Sequence, residues 1–592
     1  VLRTTIVRLG ATTAVALAVG LAVLGSLGAR PGSPAPPDPT APRPNIIFVL
    51  TDDIGWGDFQ VYNAAGKVPT PNLDRMAREG MRFTDAHTPA ALCAPTRYTV
   101  ATGNYTWRGR LPAGTWGWNT PAQFLPGQKT VGHILTEAGY RTSLFGKLHY
   151  GGGWEKKADG SVDFSKPMTE GPKQWGFDYS YVLLGGHQGP PYCYIENNAV
   201  VGDGSKVQQL PAGPLNGGMI NGAGPGLPDW NSRTVGLTLL DKTVGFIDDT
   251  LAKDRAAGTH TPFYVHLSTP GAHGPYTPPD DLHGEPVKGV TKMSPKTDMA
   301  YEIDVIVGQL RKALAERGIL KDTLIVVTSD NGGIPADRDE FGHDAVGGLR
   351  GKKSEIWEGG HRVPFLVQWG DGTAEGSKVP PGTVRNQLLG TFDIVPTFAA
   401  LAGAKPGPDQ MLDSVSFADV FTGKQGDDHP ARATLLVQSS PGRGAFSEGR
   451  IDLASFEKLR PEEYAKAVAK AEGRTGQVAK KKQAAKKAAN TDQAKAALKA
   501  ARKADAKAPQ RIAGRFVDEL PSHAMAHAVL DGQWKLVLGI DDQPAALYDL
   551  KADLKETTNL IGDAAQADRV KQLEARYREI RSSKRSTPPL GG

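Results

Sequence analysis

Two polar clusters each follow an apolar run. Asn45–Leu50 leads into Thr51-Asp52-Asp53, and Thr323–Thr328 leads into Ser329-Asp330-Asn331-Gly332. Either cluster alone also reads as a turn or a helix cap, because Asp and Asn bond their own backbone there. Together, three carboxylates and an amide oxygen make a hard-oxygen donor set suited to calcium or magnesium. The scarcity of nearby Cys and His argues against zinc. Lys147-Leu148-His149 follows a third segment that reads as a strand, Tyr140–Phe145. Cys93, in Leu92-Cys93-Ala94-Pro95-Thr96-Arg97, reads either as a buried cysteine before a turn or as a nucleophile with His149 or His273 as its base. A metal-free cysteine hydrolase would leave Asp52, Asp53, Asp330 and Asn331 without a role.

These groups need a scaffold that brings strand ends together. Continuous apolar runs suit strands buried on both faces, as in a parallel sheet. Such runs recur at Asn45–Leu50, Pro262–Leu267 and Thr323–Thr328, and Tyr140–Phe145 reads as another strand. Helical patterns lie between them, notably Pro71–Glu79, with Thr70 and Gly80 as caps, and Asp298–Glu316. Strands alternating with helices imply an α/β fold: a large domain with a mostly parallel central sheet covered by helices. Sites on such sheets form beyond the carboxyl ends of the strands. After about residue 430 the texture changes. Ala528–Leu538 reads as a hairpin turning at Asp531-Gly532, and Ala564–Ile580 reads as a terminal helix. A smaller C-terminal α+β domain with an antiparallel sheet is expected. The expected organisation is therefore a leader at 1–29, a linker at 30–44, a catalytic domain at 45–430 and a C-terminal subdomain at 431–592.

The string Cys93-x-Pro95-x-Arg97, followed by Thr102-Gly103-Asn104-Tyr105, resembles the signature of the formylglycine-dependent sulfatases, relatives of alkaline phosphatase. Six further blocks match in order over about 45–581. Asn45–Asp53 looks like the family's first metal strand, and Gly146-Lys147-Leu148-His149 like its Gly-Lys-x-His block. Ala272-His273-Gly274-Pro275-Tyr276 resembles its histidine loop, with Ala-His in place of the usual Pro-His. Ser329-Asp330-Asn331-Gly332 looks like the second metal block. Arg350-Gly351-Lys352-Lys353 through Glu358-Gly359-Gly360-His361-Arg362-Val363-Pro364 resembles the Arg-Gly-x-Lys…Glu-Gly-Gly segment. Trp534–Leu536 with Leu547–Leu550 resembles the C-terminal hairpin. Thr96 stands where serine is most common.

The resemblance implies hydrolysis of sulfate monoesters. A formylglycine-generating enzyme would convert Cys93, and the hydrated aldehyde would attack sulfur in line. Asp52, Asp53, Asp330, Asn331 and the oxygen at position 93 would bind one calcium ion. Lys147 and Lys353 would offset charge on the sulfate oxygens, His273, with Lys353, would protonate the leaving alcohol, and His149 would take a proton from the second hydroxyl. Arg97 would hold the nucleophile in place. The implied substrate is an aryl sulfate or, in an exported enzyme, a sulfated carbohydrate. Trp107, Arg108, Trp116 and Trp118 are candidates for a sugar cleft, and otherwise core aromatics and a surface arginine. His187, Tyr192 and His343 are candidates near its mouth. A phosphate or phosphonate ester hydrolase with the same site, or an inactive glycan-binding relative, is the competing reading.

Composition narrows the partners. The chain of 592 residues carries a formal charge of +6. Lys480–Lys507 holds ten basic residues against two acidic ones, a surplus of eight, which leaves the rest at −2. A body without basic excess argues against a nucleic-acid partner. The Ala/Lys-rich stretch at about 460–508 reads as a solvated helical insertion or as a tether for a polyanionic substrate. Arg3 and Arg8 precede an apolar run, Leu9–Ala29, which reads as an export signal or, uncleaved, a membrane anchor. A periplasmic or extracellular enzyme is expected. With two cysteines, Cys93 and Cys193, a disulfide scaffold is excluded.

Overall fold

A computed structural model describes residues 43–439, 526–539 and 542–590. The apolar N-terminal run, nearly all of the linker and the Lys/Ala-rich insertion lie outside the described residues.

Strand β1 (Asn45–Thr51) is buried at every position, as its unbroken apolar run predicts. Helix α1 (Pro71–Glu79) starts after Thr70 with Pro71 at its first position, where a missing N–H costs nothing. The hydroxyl of Thr70 does not cap it. Asp304 does, accepting from the Leu73 N–H at 2.8 Å. The chain continues through β2 (Met81–Phe83), α2 (Cys93–Thr102), β3 (Arg141–Lys147), β4 (Tyr179–Leu183), β5 (Ile195–Glu196) and β6 (Ala199–Val200). Helix α3 (Val235–Ala257) precedes β7 (Phe263–Ser268), and α4 (Pro295–Glu316) precedes β8 (Thr323–Ser329). A single helical turn, α5 (Glu358–His361), then leads to β9 (Phe365–Trp369) and β10 (Thr383–Arg385).

These strands form one ten-stranded sheet in the order β10-β2-β9-β8-β1-β7-β3-β4-β5-β6. Its centre is parallel: β1 pairs with β7 and β8, β7 with β3, and β3 with β4. The strand β9 runs antiparallel to β8. The pleat sends alternate β1 residues into two cores. Ile46, Phe48 and Leu50 enter one layer, while Ile47 and Val49 enter the other.

A second sheet of four antiparallel strands runs β11 (Thr434–Gln438), β12 (His527–Asp531), β13 (Trp534–Leu538) and β14 (Pro544–Asp549) in chain order. The hairpin expected here is present, but its turn is shifted by one residue. Asp531 still pairs with Trp534, so Gly532 and Gln533 make the turn, with Gly532 at φ 55°. Helix α6 (Ala567–Ser582) packs on this sheet through Leu573, Tyr577 and Ile580. The same core takes in Tyr105, Trp107, Ile356, Trp357 and Phe392 from the larger part of the chain.

Candidate active site

The parallel register aligns the ends of β8, β1, β7 and β3. Thr51 pairs with Ser329, and Ser268 pairs with both Leu50 and Gly146. The residues just beyond therefore converge. Gly146, in the Gly-Lys-x-His block, sits at φ 81°, and a Cβ there would lie 1.8 Å from the Ser268 carbonyl oxygen. Only glycine lets β3 approach β7 closely enough to deliver Lys147. Asp53 also adopts a left-handed conformation, φ 61°, which Asp tolerates better than most side chains.

Lys147 Nζ donates to Asp52 Oδ2 at 2.6 Å, and Lys353 Nζ to Asp53 Oδ1 at 2.5 Å. Asn331 Nδ2 also donates to Asp53 Oδ1, at 2.8 Å. Arg97, fully buried on α2, donates through Nε and Nη2 to Asp330 Oδ2 and through Nη1 to the Lys147 carbonyl at 3.0 Å. Cys93, the first residue of α2, has its Sγ 3.4 Å from His149 Nδ1. His273 Nε2 lies 3.9 Å from Asp53 Oδ2. All ten residues expected at the site thus fall in one cluster.

The carboxylates suit a cation. The ligand atoms of Asp52, Asp53 and His273 lie within 4.8 Å of one another. Asp52 Oδ1 and Asn331 Oδ1 are buried with no hydrogen-bond partner among the described residues. Orphaned buried oxygens are rare, and a metal ion is one of the few things that satisfies them. The donor set is oxygen-rich, as hard divalent cations prefer.

Burial raises the cost of every charge here, and the neighbours decide the outcome. Burial alone would lift Asp52, but Lys147, with His273, Arg97 and Lys353, holds it well below the usual carboxylate range. Asp330 goes the other way: burial and the adjacent Asp52 charge outweigh Arg97 and Lys147 and push it up to about 6. Burial, then Lys147 and Arg97, hold His149 well below the usual histidine value. Burial and Lys353 lower His273. Burial opposes charge on Lys353, yet Asp53 keeps its ammonium firmly protonated. Burial raises the Cys93 thiol, so an unaided thiolate is disfavoured.

Hydrogen bonding sets the His273 tautomer. Its Nδ1 lies 2.6 Å from the Gly274 carbonyl, which can only accept. The ring proton therefore sits on Nδ1, and Nε2 carries a proton only in the imidazolium form. His187 Nε2 donates to the His273 carbonyl at 3.0 Å and braces that loop. Its Nδ1 is buried without a partner among the described residues. The Gly/Pro-rich setting of His187 suggested the mouth of the site, but its bracing bond to a backbone carbonyl carries no sequence signal. Tyr276, three residues beyond His273, is 40% exposed.

Other candidates lie elsewhere. Trp107 stacks on Tyr105 at 4.3 Å in the core of the small sheet, and Trp116 packs on Tyr98. Trp118 packs on Phe164, and Arg108 is tied to Asp413 at 2.6 and 2.7 Å. Tyr192 is buried with its hydroxyl on the Gly222 carbonyl at 2.6 Å. His343 is buried against Asp58 at 2.9 Å. Charge and aromaticity suggested a cleft, but packing uses these side chains as core and struts. Thr96 is buried, its hydroxyl donating to the Ala90 carbonyl at 2.7 Å. Cys193 is buried and unbonded.

The sulfatase family model matches residues 44–404. An N-acetylgalactosamine-6-O-sulfatase of Bacteroides thetaiotaomicron is 29% identical over 69% of this chain and 81% of that relative. Human arylsulfatase A is 30% identical over 73% of this chain and 75% of the relative. A solved sulfatase chain, described with glycosaminoglycan metabolism by Bacteroides thetaiotaomicron, superposes with a TM-score of 0.66 at 22% identity, covering 92% of this chain and all of that one. The fold, with its mostly parallel sheet and four-stranded antiparallel partner, is theirs. The chain belongs to the sulfatase family. It is a sulfuric ester hydrolase.

Proposed function

We propose that this enzyme hydrolyses sulfate monoesters on a sulfated carbohydrate, with formylglycine at position 93 as nucleophile and one calcium ion held by Asp52, Asp53, Asp330 and Asn331. The observation that carries this is the pairing of Cys93 with His149 beside a carboxylate cluster containing two orphaned oxygens. The thiol of Cys93 stands in for the oxygens of the modified residue. Calcium would supply positive charge that acidifies and orients the nucleophilic oxygen. Sulfated sugars are favoured because N-acetylgalactosamine-6-O-sulfatase is among the relatives.

The protein's own groups divide the work. Lys147 and Lys353 face the anionic cluster and would neutralise charge developing on sulfate oxygens. His149 Nδ1, neutral at working pH because burial and two cations depress it, would accept a proton from the group at position 93. His273 would donate from Nε2 to the leaving oxygen, and its Nδ1 bond to Gly274 means that the donor must be the imidazolium. Asp53, 3.9 Å from that nitrogen, favours this form. Arg97 would fix Asp330 and the end of β3 together. Tyr276 offers an exposed ring at the mouth for a sugar face. Maturation would need a formylglycine-generating enzyme, and an exported enzyme would meet extracellular polysaccharide.

The test combines two assays. Mass spectrometry of the peptide spanning Cys93 should show an aldehyde in place of the thiol. Calcium-dependent release of sulfate from a panel of sulfated oligosaccharides should exceed release of phosphate from aryl phosphate. An unmodified thiol, or preference for the phosphate ester, would overturn the proposal.

A further inference from the structure

A second group of metal-capable side chains lies outside the site. His87, Glu358 and His361 are all buried and offer ligand atoms within 4.8 Å of one another. A cation from the chain itself already fills the role. Lys535, on β13 of the small sheet and fully buried, places Nζ 2.9 Å from Glu358 Oε1, 2.8 Å from Glu556 Oε1 and 3.0 Å from His361 Nε2. A buried ammonium is tolerable only with such partners, and two carboxylates this close are tolerable only with such a cation.

This charge grips the short turn α5. Glu358 opens the turn, and its N–H donates to Glu556 Oε2 at 2.7 Å. Arg362, at the end of the turn, bonds the other oxygen of Glu358 at 2.7 Å. Two site loops rest on the glycines between. Gly332, next to Asn331, donates its N–H to the Gly360 carbonyl at 2.9 Å. A Cβ at Gly332 would lie 1.9 Å from the Gly359 carbonyl oxygen, so the loops are in backbone contact. Lys353 donates its N–H to the Gly333 carbonyl at 3.2 Å, and Gly359 donates to Arg350 at 2.7 Å. A short path of contacts therefore runs from Lys535 through Glu358 and the Gly359-Gly360 turn to Asn331 and Lys353.

We infer that Lys535 is a positioning residue for the active site. Its ammonium, delivered from the antiparallel sheet, fixes the Glu358–His361 turn and so holds Asn331 and Lys353 where the cation and the sulfate are bound. The inference rests on the roles proposed above for those two residues. It makes the small sheet a working part of the catalytic centre.

The experiment uses the full chain with Lys535→Ala, checked for folding by near-UV circular dichroism. Hydrogen exchange should rise at residues 329–333 and 350–361 and stay unchanged on β1 and β3. Calcium affinity and kcat should each fall about 10- to 100-fold, as for lost support of a ligand shell. n-Propylammonium, the missing part of the side chain, should restore kcat saturably in the variant and do nothing to the wild type. If Lys535→Ala fails to fold, the double variant Lys535→Met with Glu556→Gln removes the carboxylate left without a cation, while Arg362 still holds Glu358, and takes its place, with the same exchange increase and kcat loss expected. Unchanged exchange in both loops, or wild-type kcat and calcium affinity in the folded variant, overturns the inference. Absence of sulfate release by the wild type would instead overturn the proposed function, and loop exchange would still decide the role of Lys535.

Discussion

Arg97 binds Asp330 through two nitrogens on one oxygen: Nε lies 2.9 Å and Nη2 2.7 Å from Oδ2. The other oxygen, Oδ1, accepts the Asp53 N–H at 3.3 Å. One carboxylate therefore ties α2, the end of β1 and the end of β8 together. Lysine cannot reproduce a planar fork. Arg97→Lys is expected to lower kcat/KM about 10- to 100-fold even when normalised to the fraction of modified Cys93. Activity within threefold of wild type, at equal modification, would show that the fork is dispensable.

Cys93→Ala should abolish ester hydrolysis while leaving the fold intact. The side chain is buried and small, and its replacement removes only the group proposed to react. Circular dichroism should match the wild type, and sulfate release should drop to the uncatalysed background. Residual turnover well above that background would assign the nucleophile elsewhere.

Calcium binding should weaken as pH falls through about 6. Burial and Asp52 lift Asp330 to about 6, so below that value a proton occupies the carboxylate proposed to hold the ion. Binding then releases this proton, and affinity should fall up to about tenfold per pH unit below the transition. Calorimetric titrations from pH 5 to pH 8 would show the slope, and Asp330→Asn should remove it. A flat profile in the wild type would mean that Asp330 does not titrate with the ion.

Glu302 on α4 should make the protein less stable as pH rises. Its carboxyl is buried, and Oε1 faces Gly236 without a partner among the described residues. Burial pushes it up from 4.5 to about 8, so the folded state keeps a proton that the unfolded chain has lost. Below about pH 4.5 both states are protonated and no pH-dependent cost arises. Between about 4.5 and 8 the unfolded state binds fewer protons, and stability declines by up to ~1.4 kcal/mol per pH unit. Glu302→Gln should raise Tm at pH 8 and barely change it at pH 5. An equal shift at both pH values would point to packing instead.

The parts of the molecule legible from sequence share a physical cause. Strands buried on both faces of a parallel sheet are rich in apolar residues, so β1, β7 and β8 announce themselves, while β3 shows only Leu144-Phe145 ahead of Gly146-Lys147, and a site on such a sheet must gather at the strand ends. That logic places Asp52, Lys147 and Asp330 together from the sequence alone. Side chains that act through backbone contacts leave no such mark. The bond from His187 to the His273 carbonyl, the cap that Asp304 gives α1, and the link from Lys535 to the Gly359-Gly360 turn all join residues distant in sequence. The tryptophans near the signature misled for the converse reason. An aromatic ring suits a sugar face and a protein core equally well, and only packing decided for the core at Trp107 and Trp116.

The strands β11 and β12 are hydrogen-bonded neighbours. Gln438 pairs with His527, and Ser439 donates its N–H to the Ala526 carbonyl at 2.8 Å. The sheet that delivers Lys535 is therefore knit by its own backbone up to its last described pair, so two stretches of chain far apart in sequence meet as one edge.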